Sequence, residues 1–238
     1  MGKETGAYDA VFSNDLDNLK YPQITEYDAV FLNNAVGALF SDPDVLDGLM
    51  RFVREGGGLA GLHGASYSSM EIPEFGELLG AQDGPHTGPG LLKPYDTTSF
   101  LNIVKIDDPI SPLTKPFVDS PLTQEFGGKE FRWVDEYYHF LPSGPYSREK
   151  LHVLLSIDVD KSPKSELTNV RPDRDYGLSW IRNHGKGRVF FLALGHSPKL
   201  FQTPAFAVYV LSGIQFVLGD LEADATPSAK LPVQGSAR

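Results

Sequence analysis

Apolar residues along the chain fall into short continuous runs that stop at polar or glycine-rich breaks. Tyr8–Asn14 (YDAVFSN) is a short β-prone run. Tyr27–Asn34 has a fully apolar centre, Ala29-Val30-Phe31-Leu32, closed by Asn33 and Asn34. Such a run with a polar end reads as a buried parallel strand opening into a loop. Ser41-Asp42-Pro43 offers a cap and a first-turn proline, Val45, Leu46, Leu49, Met50 and Val53 recur at helical spacing, and Gly56-Gly57-Gly58 stops the helix. Leu59–Leu62 is the next strand and runs straight into His63-Gly64-Ala65-Ser66. Strand, helix, strand at this spacing is a crossover unit, so the pattern predicts a three-layer α/β domain with a mainly parallel sheet.

Further along, residues 81–98 are loop-like, Phe100–Ile106 alternates as a strand does, and prolines break the stretch to residue 121. Leu151–Ile157, Tyr176–Arg182 and Arg188–Leu194 read as strands; the glycine-containing turn Asn183–Gly187 makes the last two a hairpin. Pro204–Leu218 reads as a helix with Phe206, Val210, Leu211, Ile214 and Val217 on one face. Residues 1–222 are expected to form one domain, and the small, polar, proline-containing segment 223–238 a flexible tail.

Composition narrows the classes of function. With 21 Lys and Arg against 31 Asp and Glu the formal net charge is −10, which argues against nucleic acid or an anionic membrane as the main partner. The chain has no Cys, which removes disulfides, thiolate metal sites and thiol nucleophiles together. No apolar run is long enough to span a membrane and no signal peptide is visible, so a cytoplasmic location is the default expectation, or secretion if the start was trimmed. The expected partner is a small molecule; a homo-oligomer stays open.

In an α/β sheet the ligand crevice lies at the carboxyl ends of the strands, so Asn33, Asn34, His63, Ser66 and His196 are the residues to watch. Gly61-Leu62-His63-Gly64-Ala65 has the outline of a nucleophile elbow, with small residues flanking one functional side chain; the ordinary alternative is a glycine-rich turn with an incidental His. His196 directly follows an apolar strand, as a site residue or as a packing His. Asp135-Glu136-Tyr137-Tyr138-His139 gathers two acids, two Tyr and a His. If extended, it turns Glu136 and Tyr138 to one side and Asp135, Tyr137 and His139 to the other. Glu136 is the stronger candidate of its acids, with Tyr138 and His139 as substrate contacts. His86 sits in a glycine-rich loop of the kind that serves as a lid or a binding loop, which makes it a candidate substrate contact. Trp180, His152 and His184 read as structural. Gly56-Gly57-Gly58 lacks the Lys and Ser or Thr of a phosphate loop.

Together, YDAVFLN (Tyr27–Asn33), GGGLAGLHGA (Gly56–Ala65), DEYY (Asp135–Tyr138), GKGRVFFLALGHSP (Gly185–Pro198) and the helix beginning at Pro204 resemble the ThuA-like, or trehalose-utilisation, family. The resemblance implies a class I glutamine amidotransferase-like fold, a flavodoxin-like sandwich. It also implies that His63 stands where amidotransferases carry a Cys, and that His196 stands where they carry their His. Pro198 replaces the acid expected two residues later, and without a Cys, glutaminase chemistry is not expected. The family's opening strand–helix unit is missing ahead of Tyr8. Either the chain is truncated or Tyr8–Asn14 pairs directly with the next strand. Asp108-Pro109-Ile110 stands where relatives often have His-Pro-Ile.

The resemblance implies carbohydrate metabolism. The leading expectation is an enzyme, in the hydrolase, lyase or isomerase classes, acting on a disaccharide, glycoside or 3-keto-sugar. His63, His196 and Glu136 would serve as acid/base groups or as ligands of a divalent metal ion. The alternative is a non-catalytic carbohydrate-binding or interaction module on the same fold; a weaker third reading is a hydrolase of another substrate class with His63 as base. A real site requires His63 and His196 to emerge within about 10 Å of each other at one crevice.

Overall fold

The computed structural model describes residues 1–82, 101–106, 131–161 and 171–231, with only the backbone described at 101–106 and 131–134. Seven strands form one sheet: β1 (Ala29–Asn33), β2 (Gly58–Leu62), β3 (Leu101–Ile106), β4 (Phe131–Val134), β5 (His152–Ile157), β6 (Gly177–His184) and β7 (Gly187–Leu192). Their order is β1-β2-β7-β6-β5-β3-β4. Parallel pairing holds through β1-β2-β7, the core that the crossover pattern predicts. From β7 outward the pairing is antiparallel, because the β6–β7 hairpin reverses the chain.

Among the described residues the helices are α1 (Gly2–Thr5), α2 (Pro43–Glu55), α3 (Pro73–Leu79) and α4 (Pro204–Leu218). The Asp42 side chain accepts the Asp44 N–H at the start of α2, with Pro43 in the first turn. A methyl placed on Gly58 would strike Val217 of α4, and one on Gly61 would strike Leu79 of α3. These two positions of β2 face opposite sides of the sheet, so α3 and α4 cover opposite faces and the domain has three layers. Gly213 lets α4 close onto the sheet: a Cβ there would lie 2.2 Å from the Phe190 ring. No helix among the described residues is long and apolar enough to cross a membrane.

Two expectations change. Tyr8–Asn14 forms no strand, and its Val11 and Phe12 are 71% and 94% exposed. Strand propensity counts only where the side chains have a surface to pack on, and although among the described residues β1 pairs with β2 alone, this segment packs neither Val11 nor Phe12 against the sheet. The segment after residue 222, read as a flexible tail, is docked as far as it is described, to Leu231. Ser228 N donates to Leu151 O (2.9 Å), Ala229 N to Arg148 O (3.0 Å) and Val153 N to Ser228 Oγ (2.8 Å), while His152 Nδ1 contacts Thr226 O at 2.8 Å. This attachment runs mainly through hydrogen bonds, with only the small Ala223 and Ala225 packed on the core, and so leaves little apolar periodicity to read.

The segment 135–140 leaves β4 at one edge of the sheet and returns across its end. Phe140 packs on Trp180 of β6 and Phe191 of β7 at 5.4 and 6.0 Å between ring centres. His139 lies edge-on to Tyr176 and is buried. Trp180 is wholly buried and donates its indole N–H to Leu79 O at 3.0 Å, in keeping with a core role.

Two outcomes are expected. Burial pushes the His139 pKa down from its ordinary 6.5 to about 4. The unfolded chain therefore takes up a proton that the folded one refuses, and stability falls as pH drops from 6.5 towards 4. Urea midpoints should show about 2 kcal/mol lost to this group by pH 4.5, and the slope should flatten in His139→Asn. Truncation after Leu221 should cost on the order of 2 kcal/mol, or roughly 4–8 °C in thermal midpoint, through the lost hydrogen bonds at β5.

Candidate functional site

His63 follows β2 and His196 lies four residues past β7, and these strands are parallel neighbours in register from Gly58↔Arg188 to Leu62↔Leu192. Both rings therefore emerge at the same sheet end, with centroids 5.2 Å apart and nearly perpendicular. His63 opens a single 3-10 turn, His63–Tyr67, with φ 43°, a left-handed conformation that a non-glycine residue seldom adopts. Its neighbours have to be small. A Cβ on Gly64 would lie 2.7 Å from Val36 and 2.8 Å from Asn34 Oδ1.

The His63 ring is buried at 2% exposure and held from behind by the Ala193 carbonyl, 2.7 Å from Nδ1. A carbonyl only accepts, so Nδ1 carries a hydrogen, and Nε2 is the nitrogen that faces Glu136 and His196. Tyr138 stacks on the same ring at 4.5 Å and 24°.

Glu136 arrives on the segment that crosses the sheet end. Its Oε2 lies 3.2 Å from His63 Nε2 and 2.7 Å from His196 Nδ1, and the two nitrogens are 3.2 Å apart. Among the described residues, His63, Glu136 and His196 form a group whose donor atoms suit a metal ion. Ligands about 2.1 Å from a metal and at right angles lie about 3.0 Å apart. The observed spacings fit two imidazoles and a carboxylate on one face of an ion. They also fit a plain hydrogen-bonded acid/base cluster.

Asp135, next to Glu136, points the other way and is fully buried. Its carboxylate accepts the N–H groups of Gly195 (2.7 Å), His196 (3.3 Å) and Ser197 (3.1 Å). Burial raises its pKa, while the Gly195 hydrogen bond and the neighbouring His63 act in the opposite direction. Burial, and then the Asp135 charge, also push the Tyr137 phenol up.

The remaining sequence candidates divide. Asn34, at φ 55°, braces the site: its Oδ1 accepts Gly64 N–H at 2.9 Å and its Nδ2 donates to Gly195 O at 3.4 Å. Tyr138 is beside His63. Asn33 is exposed at the end of β1. Ser66 is buried and donates to the His63 carbonyl at 3.2 Å, and His139 is buried against Tyr176, so neither side chain reaches solvent. His86 and Asp108 lie outside the described residues. The Ala193 carbonyl has no side-chain signature to read. The sequence favours Glu136 over Asp135 as the functional acid, and nothing in residue identity marks the backbone partners of Asp135. A cleft of about 660 Å³ lined by Tyr146, Arg148, Arg171, Asp173, Arg174 and Asp175 excludes the His/Glu group. Its guanidiniums are already paired with Asp175, Asp173 and Asp160.

Two of the solved structures similar to this chain show the shared fold. A protein described as ThuA-like from Bacteroides uniformis ATCC 8492 aligns over 92% of this chain and 80% of its own, with 20% identity and a TM-score of 0.63. Another, from Parabacteroides merdae ATCC 43184, aligns over 97% and 84%, with 16% identity and a TM-score of 0.61. No curated protein matches. A family model described as trehalose utilisation matches residues 1–217. With nearly the whole chain matched and the expected fold in place around His63 and His196, the chain belongs to the ThuA family.

Proposed function

We propose that the chain is an enzyme of carbohydrate metabolism whose reacting centre is His63, Glu136 and His196. Its substrate class is a disaccharide, glycoside or 3-keto-sugar. Membership of a trehalose-utilisation family supports the carbohydrate-related role. The observation that carries the catalytic part is the convergence of three donor atoms, none more than 3.2 Å from the next, from three distant segments.

His63 Nε2, Glu136 Oε2 and His196 Nδ1 would hold a divalent ion on one face. Its open side would polarise a keto or hydroxyl pair of a sugar. His63 is fixed for this by Ala193, in the way that metal-bound imidazoles are commonly oriented through their second nitrogen. Glu136 and His196 remain partly open to solvent, at 25% and 19% exposure, whereas His63 is at 2%. A sugar would therefore approach from the Glu136–His196 side. Val36, exposed on the loop after β1 and packed beside Gly64, offers apolar surface next to His63.

A second reading rests on the 2.7 Å His196–Glu136 contact. A carboxylate this close to an imidazole makes an acid/base pair without an ion. The two readings diverge under chelation.

The test begins with metal analysis of purified protein, followed by turnover of 3-keto-glucosides and their parent disaccharides with and without a chelator. Stoichiometric metal and activity abolished by chelation and restored by a divalent ion are expected. Activity indifferent to chelation selects the acid/base pair. His63→Ala, His196→Ala and Glu136→Gln should each lower kcat/KM by at least about 100-fold, with thermal midpoints within a few degrees of the parent for His196→Ala and Glu136→Gln. Sugar binding without turnover would instead mark a non-catalytic carbohydrate-binding module, and full activity in all three variants would remove the assignment.

A further inference from the structure

We infer that Asp135 is the positioning residue of this centre, acting through His196; the inference rests on the reading of His63, Glu136 and His196 as the reacting group. Three consecutive backbone N–H groups, those of Gly195, His196 and Ser197, converge on its two carboxylate oxygens at 2.7–3.3 Å. Successive amides point one way only when the chain curls around their acceptor. Gly195 takes φ 122° here, a conformation that a side chain would oppose. The loop is therefore shaped around the carboxylate.

The arrangement goes beyond a loop tether because of what lies next to Asp135 in the chain. Glu136 reaches the His196 ring at 2.7 Å while Asp135 holds the His196 backbone. One dipeptide thus fixes residue 196 at both ends. The spacing between the carboxylate and imidazole donors is set by the peptide bond joining Asp135 to Glu136. Asn34 holds the Gly195 carbonyl from the β1 side. Burying a carboxylate is costly unless its hydrogen bonds are met, and Asp135 is fully buried. The group that meets them is the backbone carrying His196. A small displacement of a reacting group is enough to lower rates and affinities sharply.

The experiment compares Asp135→Asn and Asp135→Ala with the parent by two measurements. The first is the ¹⁵N signal of the His196 ring in metal-free protein, which reports its hydrogen bond to Glu136. The second is the affinity for Co²⁺ followed by its visible absorption. Loss of the His196 ring signature, with that of His63 to Ala193 retained, and Co²⁺ affinity weakened about 10- to 100-fold are expected. Asp135→Asn should fall between the parent and Asp135→Ala, because its amide keeps one accepting oxygen but sets a donor against the N–H of Ser197 or Gly195. Parent-like His196 ring signals in Asp135→Ala would overturn the proposal, as would loss of folding in both variants, which would make Asp135 a structural anchor. If the parent itself fails to take up Co²⁺, the metal reading fails, and the ring signals still decide the role of Asp135.

Discussion

The contact between His63 Nδ1 and the Ala193 carbonyl, 2.7 Å long, determines which chemistry the rest of the site can perform. It fixes the tautomer, since the carbonyl has only lone pairs to offer. It also turns Nε2 towards Glu136 and His196. The bond exists because β2 and β7 are parallel neighbours whose ends lie level, Leu62 opposite Leu192. The positive φ of His63 and the small residues around it are local consequences of bringing that ring across to the neighbouring strand.

The acid comes from elsewhere. β4 is separated from β7 by β6, β5 and β3, so a residue following β4 reaches the centre only if the chain folds back over the sheet end. The aromatic side chains of 135–140 supply the surface for that return: Phe140 against Trp180 and Phe191, Tyr138 against His63. Burial of these rings provides a non-directional driving force. The hydrogen bonds of Asp135 and Glu136 then set the register, because a buried polar group without partners is costly. The segment 135–140 is in this sense one device, with aromatics that bring it home and acids that align it.

Much of this was legible in the sequence. His63 and His196 stand where apolar runs end in glycine and polar residues, which is the signature of parallel strands opening into a crevice. Alternation placed Glu136 and Tyr138 on one side of an extended segment, and both lie at His63. The sequence could not show that Asp135, rather than facing solvent, is enclosed by three amides, because backbone donors leave no trace in residue identity. The short α3 was not read either, although Pro73 in its first turn and Gly80 in the left-handed region at its end mark its limits. Tyr8–Asn14 was misread for the opposite reason: its composition favours a strand, but pairing is a property of the whole sheet. The segment after residue 222 escaped because it docks by hydrogen bonds instead of an apolar stripe.

The chain has no Cys and places an imidazole, His63, at the turn after β2. The fold supplies the crevice, and the side chains at its edge decide the reaction. The most direct test of the central claim, that three distant segments build one metal-binding centre, is anomalous diffraction from a crystal of the protein grown with Mn²⁺. The account predicts a single strong peak about 2.0–2.2 Å from His63 Nε2, Glu136 Oε2 and His196 Nδ1. A crystal at saturating Mn²⁺ with no peak there, or with its only peak on surface carboxylates, would contradict it.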